Sequence, residues 1–376
     1  MNIRMNDLQS QYKRLEKEID AAIKEVLNQA SFINGSEVQT FCTRLAEYMH
    51  IPHVITCGNG TDAIRLALQA LNIQTGDEII VPAFMYIAAA EMVASLGLTP
   101  VLVDVNADTF NINTELIERA ITRKTKAIIA VHLFGQACDM ESVMKLAEKY
   151  KIHVIEDNAQ SLGADYTFFD GTTKKVGTIG HIGTTSFFPT KPLGCYGDGG
   201  AVMTFDSELA ERIWMLANHG QTQKYHHKII GCNSRLDTIQ AAILNVKLSY
   251  IDDFARERQK VACYYDQILS PLSEISIPQK SAFSTHVFHQ YTLKVENEQR
   301  DALQAYLKEC GISATVYYPL SVHEQEGYKW VARVSGDVSV SSRLCKEVLS
   351  LPIHSEMTDE MLRLISNSIK RFFRKR

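Results

Sequence analysis

The apolar residues of this chain change period near residue 53. Before it, Leu8, Tyr12, Leu15, Ile19, Ile23 and Val26 recur three or four apart, which predicts an amphipathic helix from about residue 7 to 28. Ser36 followed by Gln39 has the capping-box spacing and predicts a second helix through Met49. After it, short apolar runs alternate with helical patterns. The runs at His53–Cys57, Glu78–Val81, Pro100–Val105, Ala127–Val131 and Val154–Glu156 predict strands. Between them, Asp62–Leu71, Ile87–Leu96, Thr114–Ile121 and Met140–Lys149 predict helices, the first preceded by a turn at Gly58–Thr61. Alternation of this kind predicts an α/β domain around a mostly parallel sheet, with ligands at the carboxyl ends of its strands.

Beyond residue 237 the pattern is helix-rich to about 269. It is followed by strand character at Val287–Leu293 and Ser313–Tyr317, a helix at Arg300–Glu309 and a terminal helix. With 376 residues the chain exceeds the roughly 250–300 at which one core divides. We therefore expect a large domain over 1–250 and a smaller α+β domain over 251–376.

Net charge is −4, which gives no ground for a nucleic-acid partner. The basic end Lys370–Arg376 reads as the solvated tip of the last helix. The N-terminus has no apolar signal core, and no run approaches the ~18 apolar residues of a membrane span. Eight cysteines are scattered with no CxxC spacing. That argues against a zinc ribbon and suits a reducing cytoplasm.

Lys191 is the residue that brings chemistry into view. It lies among aromatic, proline and glycine residues in Ser186-Phe187-Phe188-Pro189-Thr190-Lys191-Pro192-Leu193-Gly194, thirty-four positions after Asp157 closes an apolar strand. A lysine able to form a Schiff base and a carboxylate able to hold a pyridinium proton are what pyridoxal-phosphate chemistry requires. Gly58-Asn59-Gly60-Thr61 is a glycine turn before a helix, where backbone amides face an anion. Ser186 offers another phosphate donor, Gln160 a partner for a ring hydroxyl, and Tyr86 a face for a planar ring. Alone, each has a plainer reading: a strand-to-helix turn, a capping carboxylate, a packed aromatic, a surface lysine.

Together they resemble the DegT/DnrJ/EryC1/StrS family of sugar aminotransferases. The resemblance rests on Gly58–Ala63, Val154–Ser161, Ser186–Ala201, Gly231–Asp237 with Gln240-Ala241-Ala242, and Leu351-Pro352-Ile353-His354. It implies a fold-type I, aspartate aminotransferase-like large domain with a smaller C-terminal one. It also implies pyridoxal 5'-phosphate bound through Lys191. Asp157 would contact the ring nitrogen, Gln160 the ring hydroxyl and Tyr86 the ring face. Gly60, Thr61 and Ser186 would hold the phosphate, joined by Asn233 of a partner subunit in a homodimer with two shared active sites. Relatives that dehydrate carry His at the Lys191 position, so transamination is implied. Asn158 stands where the family often has a small residue.

The segment from His219 through Tyr225, His226 and His227 to Asn233-Ser234-Arg235-Leu236-Asp237 resembles the branch acting on UDP-2-acetamido-2-deoxy-3-oxo-glucuronate. The implied reaction moves an amino group from L-glutamate to this sugar, in the biosynthesis of surface polysaccharide, lipopolysaccharide or glycan precursors. Branches acting on dTDP-linked 3-keto or 4-keto 6-deoxy sugars share most of these motifs. Arg235 is a candidate carboxylate clamp, and Tyr317 and Tyr318 match the family's substrate side. His226 and His227 are candidates for the sugar–nucleotide cleft or simply a polar loop. Adjacent histidines with no carboxylate or cysteine nearby do not write a metal site.

Overall fold

The alternation that begins at residue 53 becomes a parallel sheet whose carboxyl edge carries the chemistry. The computed structural model describes residues 2–296 and 298–374; Lys375 and Arg376, the tip of the basic end, lie outside them. The strands are β1 (His53–Cys57), β2 (Glu78–Pro82), β3 (Thr99–Val103), β4 (Thr125–Val131) and β5 (His153–Asp157). A hairpin of β6 (Asp165–Thr167) and β7 (Thr173–Lys175) precedes β8 (Ile182–Ser186) and β9 (Gly200–Thr204). A second hairpin joins β10 (Gln221–Gln223) to β11 (His226–His227), and β12 (Ile275–Ser276), β13 (Tyr291–Val295), β14 (Arg333–Val334) and β15 (Val348–Leu351) follow. The main sheet runs β1-β9-β8-β5-β4-β2-β3-β14. It is parallel from β8 to β14, with β9 antiparallel to both neighbours.

Of the strands read in advance, β2 to β5 are mostly buried, while β1 is half-buried along most of its length. Ile79–Val81, Val101–Val103, Ala127–Ala130 and Val154–Ile155 are fully enclosed, which favours continuous apolar runs over alternation. In contrast, β8 (Ile182-Gly183-Thr184-Thr185-Ser186) carries no such run and is held by its neighbours β5 and β9. A Cβ on Gly183 would lie 2.0 Å from the Gly177 carbonyl oxygen, so only glycine fits.

The helices are α1 (Leu8–Gln29), α2 (Ser36–Met49), α3 (Gly60–Ala70), α4 (Ala88–Ser95), α5 (Thr114–Ala120), α6 (Met140–Tyr150), α7 (Ser207–Ala217), α8 (Thr238–Leu248), α9 (Ile251–Leu269), α10 (Arg300–Glu309), α11 (Ser339–Glu347) and α12 (Asp359–Arg374). None among the described residues is long and apolar enough to cross a membrane. In α1 the expected stripe buries Leu15, Ile19 and Val26. A second core gathers Val261, Ala262, Tyr265 and Leu269 of α9 with β13, β15, α10 and α12. Ile3 also joins it, through a bridge to Ile312. Val322, Val338 and Leu344 return to the core of the main sheet, so the chain beyond α9 packs on both. The basic residues Arg371 and Arg374 are exposed, while Phe372 and Phe373 beside them are buried.

Four local expectations are corrected. Ser36 is inside α2 rather than its cap: Gly35 precedes the helix with no side-chain bond, and the Ser36 hydroxyl turns to Glu37. The helix after Gly58-Asn59 begins at Gly60 because the Asn59 side chain accepts from Asp62 N at 2.7 Å. Ser313–Tyr317 forms only a bridge from Thr315 to Ser350. Residues 287–290 do not extend β13; the Val287 and Gln290 amides donate instead to the Gly135 and Phe134 carbonyls at 2.8 and 3.2 Å.

Replacing Gly183 with alanine forces β8 off the Gly177 backbone. We expect Gly183→Ala to cost about 3 kcal/mol, measured by urea unfolding; an unchanged midpoint would mean that β8 shifts freely.

Candidate active site

The anion cradle is built where α3 meets β8. Asn59 takes the Asp62 amide with its side chain and the Ala63 amide with its carbonyl. Gly60 and Thr61 thus keep the first two amides of the helix, which have no intrahelical acceptor. A Cβ on Gly60 would lie 2.5 Å from Ser186 Cβ, and one on Gly200 would lie 2.4 Å from the Asn59 oxygen. Glycine at both positions lets the start of α3 touch the ends of β8 and β9. Ser186, half-buried at the end of β8, therefore shares one corner with Gly60 and Thr61. Ser234 secures that corner: its hydroxyl accepts from Gly58 N at 2.9 Å and donates to Asp62 Oδ2 at 2.6 Å.

Lys191 sits in the tight loop between β8 and β9. Its amide donates to Phe188 O at 2.9 Å, Cys195 N donates to Phe187 O at 2.8 Å, and Phe187 N to Gly199 O at 2.7 Å. Two side chains of α8, seven residues apart and so on one face, clasp the loop. Gln240 Oε1 accepts from Tyr196 N at 2.9 Å. The buried Lys247 ammonium donates to Gly194 O at 2.5 Å and lies 5.2 Å from the centre of the Tyr196 ring. Lys191 itself is half-buried. Burial pushes its pKa down from 10.5 to about 8, and the Asp157 carboxylate partly opposes this.

Asp157 ends β5, whose neighbours are β4 and β8. Burial raises its pKa; the Ala159 amide at 3.1 Å, Lys191 and His132 pull the other way. Behind it lies a pair that the sequence reading passed over, although His132 follows an apolar strand just as Asp157 does. His132 Nε2 meets Glu156 Oε2 at 2.8 Å, with both side chains fully enclosed. The Cys138 amide donates to His132 Nδ1 at 3.1 Å, so the ring proton sits on Nε2 and points at Glu156. Burial alone would raise the Glu156 pKa. His132 and the Gly180 and Gly177 amides outweigh it and hold that pKa below the usual value. The His132 backbone amide donates to Asp157 O at 3.0 Å, which fixes the strand end that carries Asp157.

The aromatic wall is Tyr86 and Tyr318. Their ring centres are 6.3 Å apart, and Tyr318 also packs against Phe84 and Phe134. Gln160 is oriented without ambiguity: the Phe134 amide can only donate, so Oε1 faces it at 2.8 Å. Nε2 then reaches the Tyr318 hydroxyl at 3.1 Å and keeps a second hydrogen. Asn158 turns away from the site, donating to Val176 O at 2.7 Å.

One chain thus brings Lys191, Asp157, Gly60, Thr61, Ser186, Gln160, Tyr86 and Tyr318 to the carboxyl edge of the sheet. The remaining candidates stand differently. Asn233 is exposed and accepts from Arg235 Nε at 2.6 Å, so in this chain Arg235 holds an amide rather than a carboxylate. His226 and His227 lie on an exposed hairpin, where His227 Nδ1 is 2.8 Å from His219 O. Tyr317 is half-buried beside Tyr318.

These residues fit pyridoxal phosphate. The glycine-only corner is a cradle for the phosphate, a lysine with its charge disfavoured is a carbonyl acceptor, and a buried carboxylate faces it across the strand ends. The comparisons agree. The model of the DegT/DnrJ/EryC1/StrS aminotransferase family matches residues 13–370. The chain is 43% identical over 376 residues to a "pleiotropic regulatory protein" of Geobacillus stearothermophilus, covering 100% of this chain and 99% of that one. It is also 43% identical over 359 residues to the UDP-2-acetamido-2-deoxy-3-oxo-D-glucuronate aminotransferase of Pseudomonas aeruginosa, covering 96% and 97%. Among solved structures, a DegT DnrJ EryC1 StrS aminotransferase from Brucella abortus superimposes with a TM-score of 0.94 at 38% identity, covering 98% and 99%. This chain belongs to the DegT/DnrJ/EryC1/StrS family of pyridoxal-phosphate-dependent sugar aminotransferases.

Proposed function

We propose that the enzyme moves an amino group from L-glutamate to the keto group of UDP-2-acetamido-2-deoxy-3-oxo-glucuronate, for a surface polysaccharide or glycan precursor. The observation that carries this choice of sugar is the 43% identity to the Pseudomonas enzyme of that name, along 96% of this chain. The His219–Asp237 segment, which resembles that branch, agrees with it. Free cysteines throughout the described chain suit a cytoplasmic setting.

When bound, pyridoxal phosphate supplies an electrophilic carbonyl and a ring that accepts electrons. The chain's own groups supply the rest. Lys191 Nζ would hold the cofactor and, as a free amine, would move a proton from the donor's α-carbon. Asp157 keeps a proton on the ring nitrogen. The spare hydrogen of Gln160 Nε2 holds the ring hydroxyl, and Tyr86 covers the ring face. The Gly60 and Thr61 amides, the Thr61 hydroxyl and Ser186 Oγ hold the phosphate, with Asn233 reaching in from a second copy of the chain. That role makes the working unit a homodimer with shared sites. It also gives the exposed Asn233, His226 and His227 and the half-buried Arg235 a neighbour's active site to face. Arg235, Tyr317 and Tyr318 line the substrate side.

Three tests follow from this assignment. Only the neutral Lys191 amine attacks a carbonyl, and its fraction grows as pH rises toward the depressed pKa. Capture of pyridoxal phosphate by the apo-protein should therefore speed up about tenfold per pH unit and level off above about pH 8. Stopped-flow absorbance reads this, and a flat profile would remove Lys191 as the titrating group.

Gly60→Ala closes the cradle by one methyl. Cofactor affinity should fall about tenfold or more with the fold intact by circular dichroism; unchanged affinity would move the phosphate elsewhere.

L-Glutamate should bleach the visible band of the wild-type holoenzyme. A panel of UDP- and dTDP-linked keto sugars should then restore it, fastest with the UDP-3-keto-hexuronate. Lys191→Ala should lack the band altogether. Faster restoration by a dTDP-6-deoxy sugar would overturn the choice of sugar, and failure of glutamate to bleach the band would overturn the choice of donor.

A further inference from the structure

The Gln160 amide is held at both of its polar atoms. The Phe134 amide donates to Oε1 at 2.8 Å, so Nε2 faces the Tyr318 hydroxyl at 3.1 Å. An amide nitrogen only donates. Tyr318 Oη is therefore the acceptor, which takes one Nε2 hydrogen and leaves the other. The direction of these bonds is fixed from the backbone outward, from Phe134 to Gln160 to Tyr318.

Both ends of this row are secured. Phe134 stands at φ 61°, in the left-handed region that a bulky residue rarely adopts. The buried Asn111 braces the loop around it: its Oδ1 accepts from Leu133 N at 2.9 Å and its Nδ2 donates to Ala137 O at 2.9 Å. The Phe134 carbonyl accepts from Gln290 N at 3.2 Å. At the other end, Tyr318 is half-buried, with its ring centre 5.8 Å from that of Phe84 and 6.4 Å from that of Phe134. The segment that carries it is tied on either side. Thr315 and Ser350 exchange two backbone bonds at 3.1 and 2.8 Å, and Val322 N donates to Ala83 O, just past β2, at 2.9 Å. Burial pushes the Tyr318 pKa up, so the hydroxyl stays un-ionised.

A glutamine side chain has several free torsions. With one bond, to Phe134, its amide could still swing about that bond. The second bond, to Tyr318, removes this freedom and sets where the spare hydrogen points. We propose that Tyr318 is a positioning residue for the cofactor: by accepting one Gln160 hydrogen it aims the other at the ring hydroxyl. The inference rests on the reading of Gln160 as the partner of that hydroxyl. It gives Tyr318 a task beyond its place on the substrate side, and it joins the chain beyond α9 to the ring edge through a single oxygen.

The test follows the visible band of the holoenzyme against pH, at saturating pyridoxal phosphate, in variants that keep the fold by circular dichroism. The band is lost as the Lys191 link gives up its proton and the full negative charge comes to rest on the ring oxygen. A hydrogen bond to that oxygen favours the charged form and lowers the midpoint pH, so loss of the bond raises it. Gln160→Met, which keeps the length of the side chain, should raise the midpoint by about one pH unit. Tyr318→Phe should raise it by about 0.5. Combined with Gln160→Met, Tyr318→Phe should add nothing, because the hydroxyl acts through Gln160. A purely structural hydroxyl would lower the melting temperature and leave the midpoint in place. A shift with Gln160→Met and none with Tyr318→Phe would therefore overturn the inference while the Gln160 reading stands. A Tyr318→Phe shift that persists in full in the double variant would also sink it, since the hydroxyl would then act on the ring directly. An unmoved midpoint in Gln160→Met would remove the Gln160 reading, and the inference with it.

Discussion

The contact between the start of α3 and the end of β8 is the constraint on which the site depends. Two backbones approach so closely there that a single methyl on Gly60 would reach within 2.5 Å of Ser186 Cβ. That contact sets the distance from the helix amides to the Ser186 hydroxyl, and the Lys191 loop leaves β8 from the same point. Any drift of β8 would carry the phosphate corner and the lysine together. The structure opposes such drift from both sides. Gly183 is pressed against the Gly177 backbone at the centre of the strand, and β5 and β9 pair along it.

The helix α8 and the segment before it extend this constraint to the rest of the site. Ser234 ties down the turn before α3, and Gln240 and Lys247 hold the Lys191 loop. One continuous piece of chain therefore holds both the turn before α3 and the Lys191 loop. Lys247 is an expensive choice for such a clasp. Burial pushes its pKa down to about 8, and its only described hydrogen bond is to a carbonyl. A buried amine over an aromatic face is tolerated where the carbonyl it satisfies would otherwise be enclosed without a donor.

The strands β2 to β5 were legible because burial on both faces demands unbroken apolar runs, and the α1 stripe because one face is buried. Seven of the site residues that share the sheet edge drew notice because strand ends and glycine turns leave local marks; the eighth, Tyr318, came from the family resemblance alone. What was not legible depends on partners distant in sequence. The strand β8, made of Thr and Ser, exists because β5 and β9 flank it. Ser36 has the capping spacing, yet the cap position falls on Gly35, which has no side chain to accept an amide and whose own amide donates to Thr238 Oγ1. Residues 287–290 look like more of β13, but their amides are claimed by Phe134 and Gly135. The role expected of Asn233 concerns a neighbouring copy, and a single chain leaves Asn233, His226 and His227 exposed and Arg235 half-buried.

Two arginines mark the limit of motif reading in physical terms. Arg235 attracts notice because it stands in a run of recognisable neighbours, and in this chain its Nε donates to the Asn233 side-chain oxygen. Arg258 lies in an unremarked stretch of a long helix, Asp253-Phe254-Ala255-Arg256-Glu257-Arg258, where charges alternate as on any solvated face. Only the fold separates Arg256, exposed and paired with Asp253, from Arg258, which is enclosed. Two residues along a helix rotate a side chain by more than half a turn. The same residue type two positions apart is therefore surface charge in one case and, in the other, a buried cation of the interior.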